Sequence, residues 1–304
     1  MRTLPALMLA GLLGASTAAS AATIVPSQEP WPGLPALQGK RSYVDTPLGQ
    51  VHLTSLGDGP AVVLLHQTPW FSVQYAKAQP LIAKAGFRAI AVDTPGYGLS
   101  TLPDHPPTVA EYADALVAVL DRLGLRRAAF LGHHTGSTLA ATAAARHPDR
   151  VVCVAMHGVP LYTAAERAER LKTQLHADTA LKPDGSHMTA RWKTVADRIG
   201  EGNASEASVQ WAGVAFLLAG STEWYGHQAV FAYDLAPALR AIKAPTLVMS
   251  NTADTLHAAD LRTVAMRPDF AYREFLGGNA HMMYDDAAQW AAPVIAFLKE
   301  RCRP

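Results

Sequence analysis

The stretch Ala128-Ala129-Phe130-Leu131-Gly132-His133-His134-Thr135-Gly136-Ser137 leaves this chain few ways to fold. A short apolar run meets a Gly-x-x-x-Gly turn and passes into a run of small residues, 138–147, that Pro148 stops. That is strand, sharp turn, helix. Such a turn strains its central residue and holds that side chain out over a sheet edge, while Gly132 and Gly136 let strand and helix pack closely. The central residue here is His134.

The flanking chain repeats the alternation. Residues 41–45 and 50–55 alternate around Pro47-Leu48-Gly49, which predicts a β-hairpin. Residues 61–65 are an uninterrupted apolar run, the pattern of a strand buried on both faces, 88–92 and 151–156 read as further buried strands, and 246–250 and 272–276 add sheet-type segments. Thr108 and Glu111 form a capping box ahead of Val109, Tyr112, Leu116, Val119, Leu120 and Leu123 at helical spacing, closed by Gly124. Strands and helices in this order predict a mostly parallel sheet covered by helices on both faces. The alternation breaks over residues 161–240, which read as a helical insertion before the sheet resumes.

Composition excludes several function classes. With 304 residues, 49% hydrophobic and 17% charged, the chain can bury one large core. A formal charge of +1 gives no basic excess to attract nucleic acid or an anionic membrane. Small molecules are the expected partners. At the N-terminus, Arg2, the apolar run 4–13 and the small-x-small site Ala19-Ser20-Ala21 predict a cleaved signal peptide over residues 1–21 and an exported protein, periplasmic or secreted, with no membrane attachment after cleavage. A proline-rich lead-in occupies 22–39. Cys153, in a core strand, and Cys302, three residues from the end counted inclusively, are expected to be unpaired.

Taken with the elbow, His66-Gln67-Thr68-Pro69-Trp70 after a buried strand, the glycine-rich loop Asp93-Thr94-Pro95-Gly96-Tyr97-Gly98-Leu99-Ser100, Asp254 and His281 fall in an order that resembles the α/β-hydrolase fold superfamily. The resemblance covers roughly residues 40–300. It implies an α/β-hydrolase core over 40–160 and 241–304 and a helical cap over 161–240. It also implies a catalytic set of His134, Asp254 and His281, with Asp254 orienting His281. Backbone N–H groups of Gln67 and Thr135 would form the oxyanion hole, although the family usually has glycine where Gln67 stands. His66, Trp70 and His157 are candidate pocket residues. In that resemblance His66 packs behind the oxyanion hole; Asp93 is expected to order its own loop, and His133 to point opposite to His134 at the turn and be structural.

The family places serine, cysteine or aspartate where this chain has His134. A neutral imidazole there can attack a carbonyl, giving a labile acyl-imidazole, or act as a general base on water or on the substrate. Attack on an alkyl halide would leave a stable N-alkyl adduct, which disfavours dehalogenation. The expectation is an ester, lactone or related acyl-bond hydrolase acting on a small apolar substrate. Carbon–carbon lyase chemistry and a ligand-binding pseudoenzyme remain the alternatives. No cofactor is expected. His66, His134 and His281 could approach one another as zinc ligands, but their roles in the resembling family leave no metal expected.

Overall fold

A computed structural model describes residue 33 and residues 37–173, 180–199 and 204–302. The expected signal peptide and most of the lead-in lie outside the described residues. Eight strands form one sheet: β1 (Lys40–Thr46), β2 (Gly49–Leu56), β3 (Ala61–Leu65), β4 (Arg88–Val92), β5 (Ala128–His133), β6 (Val151–His157), β7 (Thr246–Asn251) and β8 (Ala271–Phe275). Their spatial order is β1-β2-β4-β3-β5-β6-β7-β8. The β1–β2 hairpin and the β2–β4 pairing are antiparallel, and every pairing from β4 to β8 is parallel. This is the mostly parallel sheet that the apolar runs predict.

Period-two alternation explains why those runs have no polar face. Val63 and Leu65 of β3 and Phe130 of β5 pack on one side with Tyr112, Leu116 and Leu120 of α2 (Val109–Arg122) and Leu139 of α3 (Thr135–Arg146). Val62 and Leu64, one residue out of phase, pack on the other with Ile82 of α1 (Ala78–Lys84) and Trp290, Val294 and Leu298 of α11 (Ala287–Arg301). The Thr108–Glu111 capping box starts α2 as the sequence predicts. The elbow glycines are needed for space. A Cβ on Gly132 would lie 2.1 Å from the Gly136 carbonyl oxygen, and one on Gly136 2.0 Å from that of Leu65.

The two cysteines correct the sequence reading: Cys153 and Cys302 form a disulfide, with Cα atoms 5.4 Å apart. Helix α11 lays its apolar side on the face of the sheet that holds Cys153, and the residue following the helix therefore reaches β6. A separation of 149 residues in sequence hides this proximity.

Between β6 and β7 the chain inserts α4 (Ala164–Thr173), α5 (Ser186–Ile199), α6 (Glu206–Ala219), α7 (Tyr225–Ala232) and α8 (Ala236–Ala241); α9 (His257–Met266) links β7 to β8, and α10 (Met282–Asp285) precedes α11. Val195 of α5 and Val209 and Trp211 of α6 share an apolar cluster with Trp70, Phe71 and Tyr284 of the core. A polar contact fixes the same junction. The Asp285 carboxylate accepts from Ser205 N at 3.0 Å, Ser208 Oγ at 2.9 Å and Asn279 Nδ2 at 3.1 Å. No helix among the described residues is long and apolar enough to cross a membrane.

Candidate active site

The elbow between β5 and α3 holds His134 at φ 48° and ψ −109°; among the described residues it is the only one other than glycine at positive φ. Holding an L-residue there costs strain, which the close packing of β5 and α3 enforces. The imidazole does not stand straight up from the turn. It leans over Gly158, just past β6, and its Nε2 lies 2.8 Å from Asp254 Oδ2. A Cβ on Gly158 would sit 2.3 Å from His134 Cδ2 and 2.6 Å from Nε2, so the missing side chain is the space the ring occupies.

Asp254 is buried, and its second oxygen, Oδ1, accepts from Leu256 N at 2.8 Å. Burial works against the charged carboxylate. The neighbouring His134, the hydrogen bond from it, His157 and the Leu256 N–H outweigh burial and hold the acid well below the usual carboxylate range. An ionised carboxylate only accepts, so the proton of this pair sits on His134 Nε2 and the lone pair of a neutral ring is on Nδ1. The His134 side chain is 20% exposed.

The expected Asp254–His281 pair is not formed. His281 is buried, stacks on Trp70 with ring centroids 4.7 Å apart, and neither ring nitrogen has a hydrogen-bond partner among the described residues. An imidazole at the elbow reaches farther than a serine hydroxyl would, and it takes the oxygen of Asp254 that His281 was expected to use. Burial is the main cause that brings the His281 pKa down to about 4. Asp285 and Asp254 oppose this shift and His134 adds to it. The ring is neutral near pH 7.

Beneath the elbow, His133 stacks on His134 at 4.1 Å instead of pointing away from it. Gln74 Nε2 donates to His133 Nδ1 at 3.0 Å while Gln74 Oε1 accepts from Gln67 N at 2.9 Å. This corrects the expected oxyanion hole, because the Gln67 N–H is already engaged by the side chain of Gln74. The Thr135 N–H stays in the first turn of α3, where a helix has no acceptor of its own for it.

Two expected pocket residues are structural. His66 donates from Nδ1 to Gln67 O and accepts at Nε2 from Thr94 N, both within 3.0 Å, and is fully buried. His157 accepts from Trp290 Nε1 at 3.0 Å and faces Asn251 Oδ1 at 2.9 Å. Asp93 ties its loop by accepting from Ser72 N and Leu99 N and by pairing with His52. His133, His134 and Asp254 offer ligand atoms within 4.8 Å of one another. The two imidazoles lie nearly face to face, however, so their in-plane lone pairs run side by side and do not converge on one ion.

The core contributes Gln67, Trp70, His134, Asp254 and His281 to the border of a cavity of about 450 Å³. The inserted helices contribute Arg170, Val195, Phe216 and His227. Sequence reasoning passed over Gln74, Gly158, Arg170 and His227. The only advance signal was a glycine directly after a strand-terminal histidine.

The family model for the alpha/beta hydrolase fold matches residues 60–257, and the chain belongs to that family. Among curated relatives, the bifunctional epoxide hydrolase 2 of Rattus norvegicus is 40% identical over 119 residues, 37% of this chain and 21% of that protein. An epoxide hydrolase of Caballeronia sordidicola is 34% identical over 149 residues, 46% of this chain and 45% of that protein. The chain thus spans between about a fifth and a half of the length of these two relatives. The 2-(acetamidomethylene)succinate hydrolase of Mesorhizobium japonicum is 28% identical over 222 residues, 70% of this chain and 78% of that protein. Among solved structures, the enol-lactonase of Burkholderia xenovorans superposes with a TM-score of 0.69 at 24% identity, covering 85% of this chain and all of that one. At this identity the likeness concerns the fold.

Proposed function

We propose that this chain is an exported enzyme that hydrolyses an ester, lactone or related acyl bond of a small molecule, with His134 as general base. The observation that carries this reading is the His134–Asp254 pair at the elbow, open to the cavity. Water attacks the acyl carbonyl while His134 Nδ1 takes its proton, and Asp254 stabilises the imidazolium that results. The Thr135 N–H, at the positive end of α3, faces the charge developing on the carbonyl oxygen. As the tetrahedral intermediate collapses, the imidazolium returns its proton to the leaving alkoxide, which departs as an alcohol. His281, neutral and stacked on Trp70, borders the cavity with both ring nitrogens buried.

General-base action also reconciles the elbow histidine with relatives named as epoxide hydrolases. Attack by imidazole nitrogen on an epoxide carbon would leave a C–N bond that water does not cleave, whereas imidazole-activated water opens the ring directly. A second reading uses the same base differently: His134 removes a proton from the substrate and the reaction is a lyase reaction. Export rests on the N-terminal pattern, and the Cys153–Cys302 disulfide suits an oxidising compartment.

The test is turnover of a panel of esters, lactones, epoxides and β-diketones by wild type and His134→Ala, followed by a single turnover on an ester in the presence of hydroxylamine. Hydrolysis lost in His134→Ala, with no acyl adduct trapped by hydroxylamine, supports the general base. A trapped adduct replaces it with the nucleophile. Cleavage of β-diketones alone favours the lyase, and no turnover by wild type favours a binding protein.

A further inference from the structure

One buried carboxyl beside the site takes no part in the reaction proposed above. Asp260 of α9 is fully buried; its Oδ1 accepts from Val159 N and its Oδ2 meets Ser250 Oγ, both at 2.6 Å. Among the described residues it has no cationic partner, since Arg262, two residues along the helix, turns to Leu161 O and Glu166 instead. A buried carboxyl without a cation keeps its proton to higher pH than an exposed one. Burial pushes Asp260 well above the usual carboxylate range, against the bonds from Ser250 and Val159 N, and the nearby Asp254 adds to the rise.

The contacts continue from Asp260 to the surface. β7 and β8 pair Ser250 with Glu274, which puts both on one side of the sheet, and His257 opens α9 one turn before Asp260. His257 Nδ1 lies 3.0 Å from Ser250 Oγ, and its Nε2 lies 3.7 Å from Glu274 Oε1, which accepts from Tyr272 OH at 2.8 Å. His257 and Glu274 are partly exposed. On the neighbouring elements the titratable groups are His157 at the end of β6, Asp254 after β7, and Tyr272 and Glu274 on β8.

Ser250 has one proton to give and two neighbours that can take it. With Asp260 protonated, Asp260 donates to Ser250, Ser250 donates to His257 Nδ1, and the imidazole proton sits on Nε2. With Asp260 ionised, Ser250 donates to the carboxylate and His257 donates from Nδ1. The two arrangements differ by one proton. As the Nε2 proton leaves to water, the Ser250 proton passes to Nδ1 and the Asp260 proton passes to Ser250.

We propose that Asp260 is a positioning residue whose proton, exchanged with solvent through Ser250 and His257, keeps the His134–Asp254 pair in its working geometry. Val159 follows Gly158, whose open Cα makes room for the His134 ring, and Ser250 leads into the turn where Asp254 N donates to Asn251 O at 2.9 Å. A protonated Asp260 holds both segments without adding charge. An ionised one puts a second buried carboxylate beside Asp254, and like charges in a shared site repel. The effect on rate rests on the hydrolase reading, whereas the proton on Asp260 does not.

The experiment follows the proton by infrared difference spectroscopy on the full chain between about pH 6 and pH 9. A protonated carboxylic acid band should disappear as pH rises, and Asp260→Asn should lack it. In heavy water the band should shift on mixing in wild type and later in Ser250→Ala, which cuts the route. For kcat/KM against pH, a general base acting alone gives a rise to a plateau, so ionisation of Asp260 should appear as an alkaline fall of about tenfold that Asp260→Asn lacks. Asp260→Ala, which leaves Val159 N without its acceptor, should lose about tenfold in kcat with KM little changed, and Asp260→Asn should restore it. Identical infrared spectra for wild type and Asp260→Asn, or an alkaline fall kept in Asp260→Asn, overturns the proposal. Where Asp260→Asn does not fold, the band must move in Ser250→Ala, and an unmoved band overturns it equally. An Asp260 band in a protein that hydrolyses nothing on the panel supports the relay and removes the hydrolytic reading.

Discussion

Two histidines border the same cavity, and the structure treats them oppositely. His134 shares a hydrogen bond with an ionised carboxylate and is partly open to solvent, whereas His281 is buried against Trp70 with neither nitrogen partnered. In chain order His281 stands where the family keeps its base and His134 where it keeps its nucleophile. Reach decides the matter instead. Asp254 accepts from Leu256 N at one oxygen and pairs with the elbow imidazole at the other, and no bond to His281 forms. A substitution at the elbow therefore reassigns the carboxylate as well as the attacking atom.

The largest effect expected from this contrast is kinetic. His134→Ala and Asp254→Asn should each lower kcat/KM by about 10³–10⁴-fold, the scale seen when a base or its orienting carboxylate is removed. His281→Gln removes at most one neutral hydrogen bond to substrate and should cost roughly fivefold. Steady-state kinetics on any substrate from the panel checks this. Equal losses at His281 and His134 would break the comparison and restore a carboxylate–His281 pair in the working enzyme. The double variant His134→Ala with Asp254→Asn should be no worse than either single change, because the two act as one unit.

The second effect concerns pH. His281 and His157 are buried, and their pKa values fall from an ordinary 6.5 to about 4. Between those values the unfolded chain binds more protons than the folded one. Stability therefore falls as pH drops from 6.5 toward 4, and these groups add nothing further below that window. Each is worth about 3 kcal/mol as an upper figure, from 1.36 kcal/mol per pKa unit. Asp254 has the opposite arrangement, with a depressed acid whose contribution is full above the unfolded carboxylate value and is lost only at lower pH. Urea unfolding at pH 7, 6 and 5 should show the decline, and His281→Gln should flatten it. An unchanged slope would mean that His281 has a partner in solution.

How much of this could be read from the sequence depends on the kind of contact involved. The strands, the α2 capping box and the elbow were legible because local periodicity and turn chemistry determine them. The position of His134 followed from the strand–turn–helix pattern alone. The partner of Asp254, the Gln74 bond to Gln67 and the Cys153–Cys302 bridge were not legible. Each depends on distances of a few ångströms between segments separated by 120, 7 and 149 residues. The Gln74 contact is close in sequence, yet it depends on how the chain after β3 folds back, which composition does not reveal.

The smallest of the three effects bears most directly on why His134 wins Asp254. Gly158 follows β6 with φ 64°, a conformation an L-residue enters at a cost of about 1 kcal/mol or more. Its Cα faces the ring of His134. Gly158→Ala adds a methyl that would lie 2.3 Å from His134 Cδ2, so the imidazole must shift by about an ångström and its bond to Asp254 must lengthen or break. A displacement of that size costs about 10²-fold in rate when it falls on a reacting group. The variant should melt only a few degrees lower yet lose this factor in kcat, and the double variant with Asp254→Asn should be no worse than Asp254→Asn alone. If Gly158→Ala keeps full activity, the His134–Asp254 contact is dispensable. If it loses activity and His281→Gln then becomes severely damaging, the displaced carboxylate has passed to the second histidine, and the two rings compete for one acid.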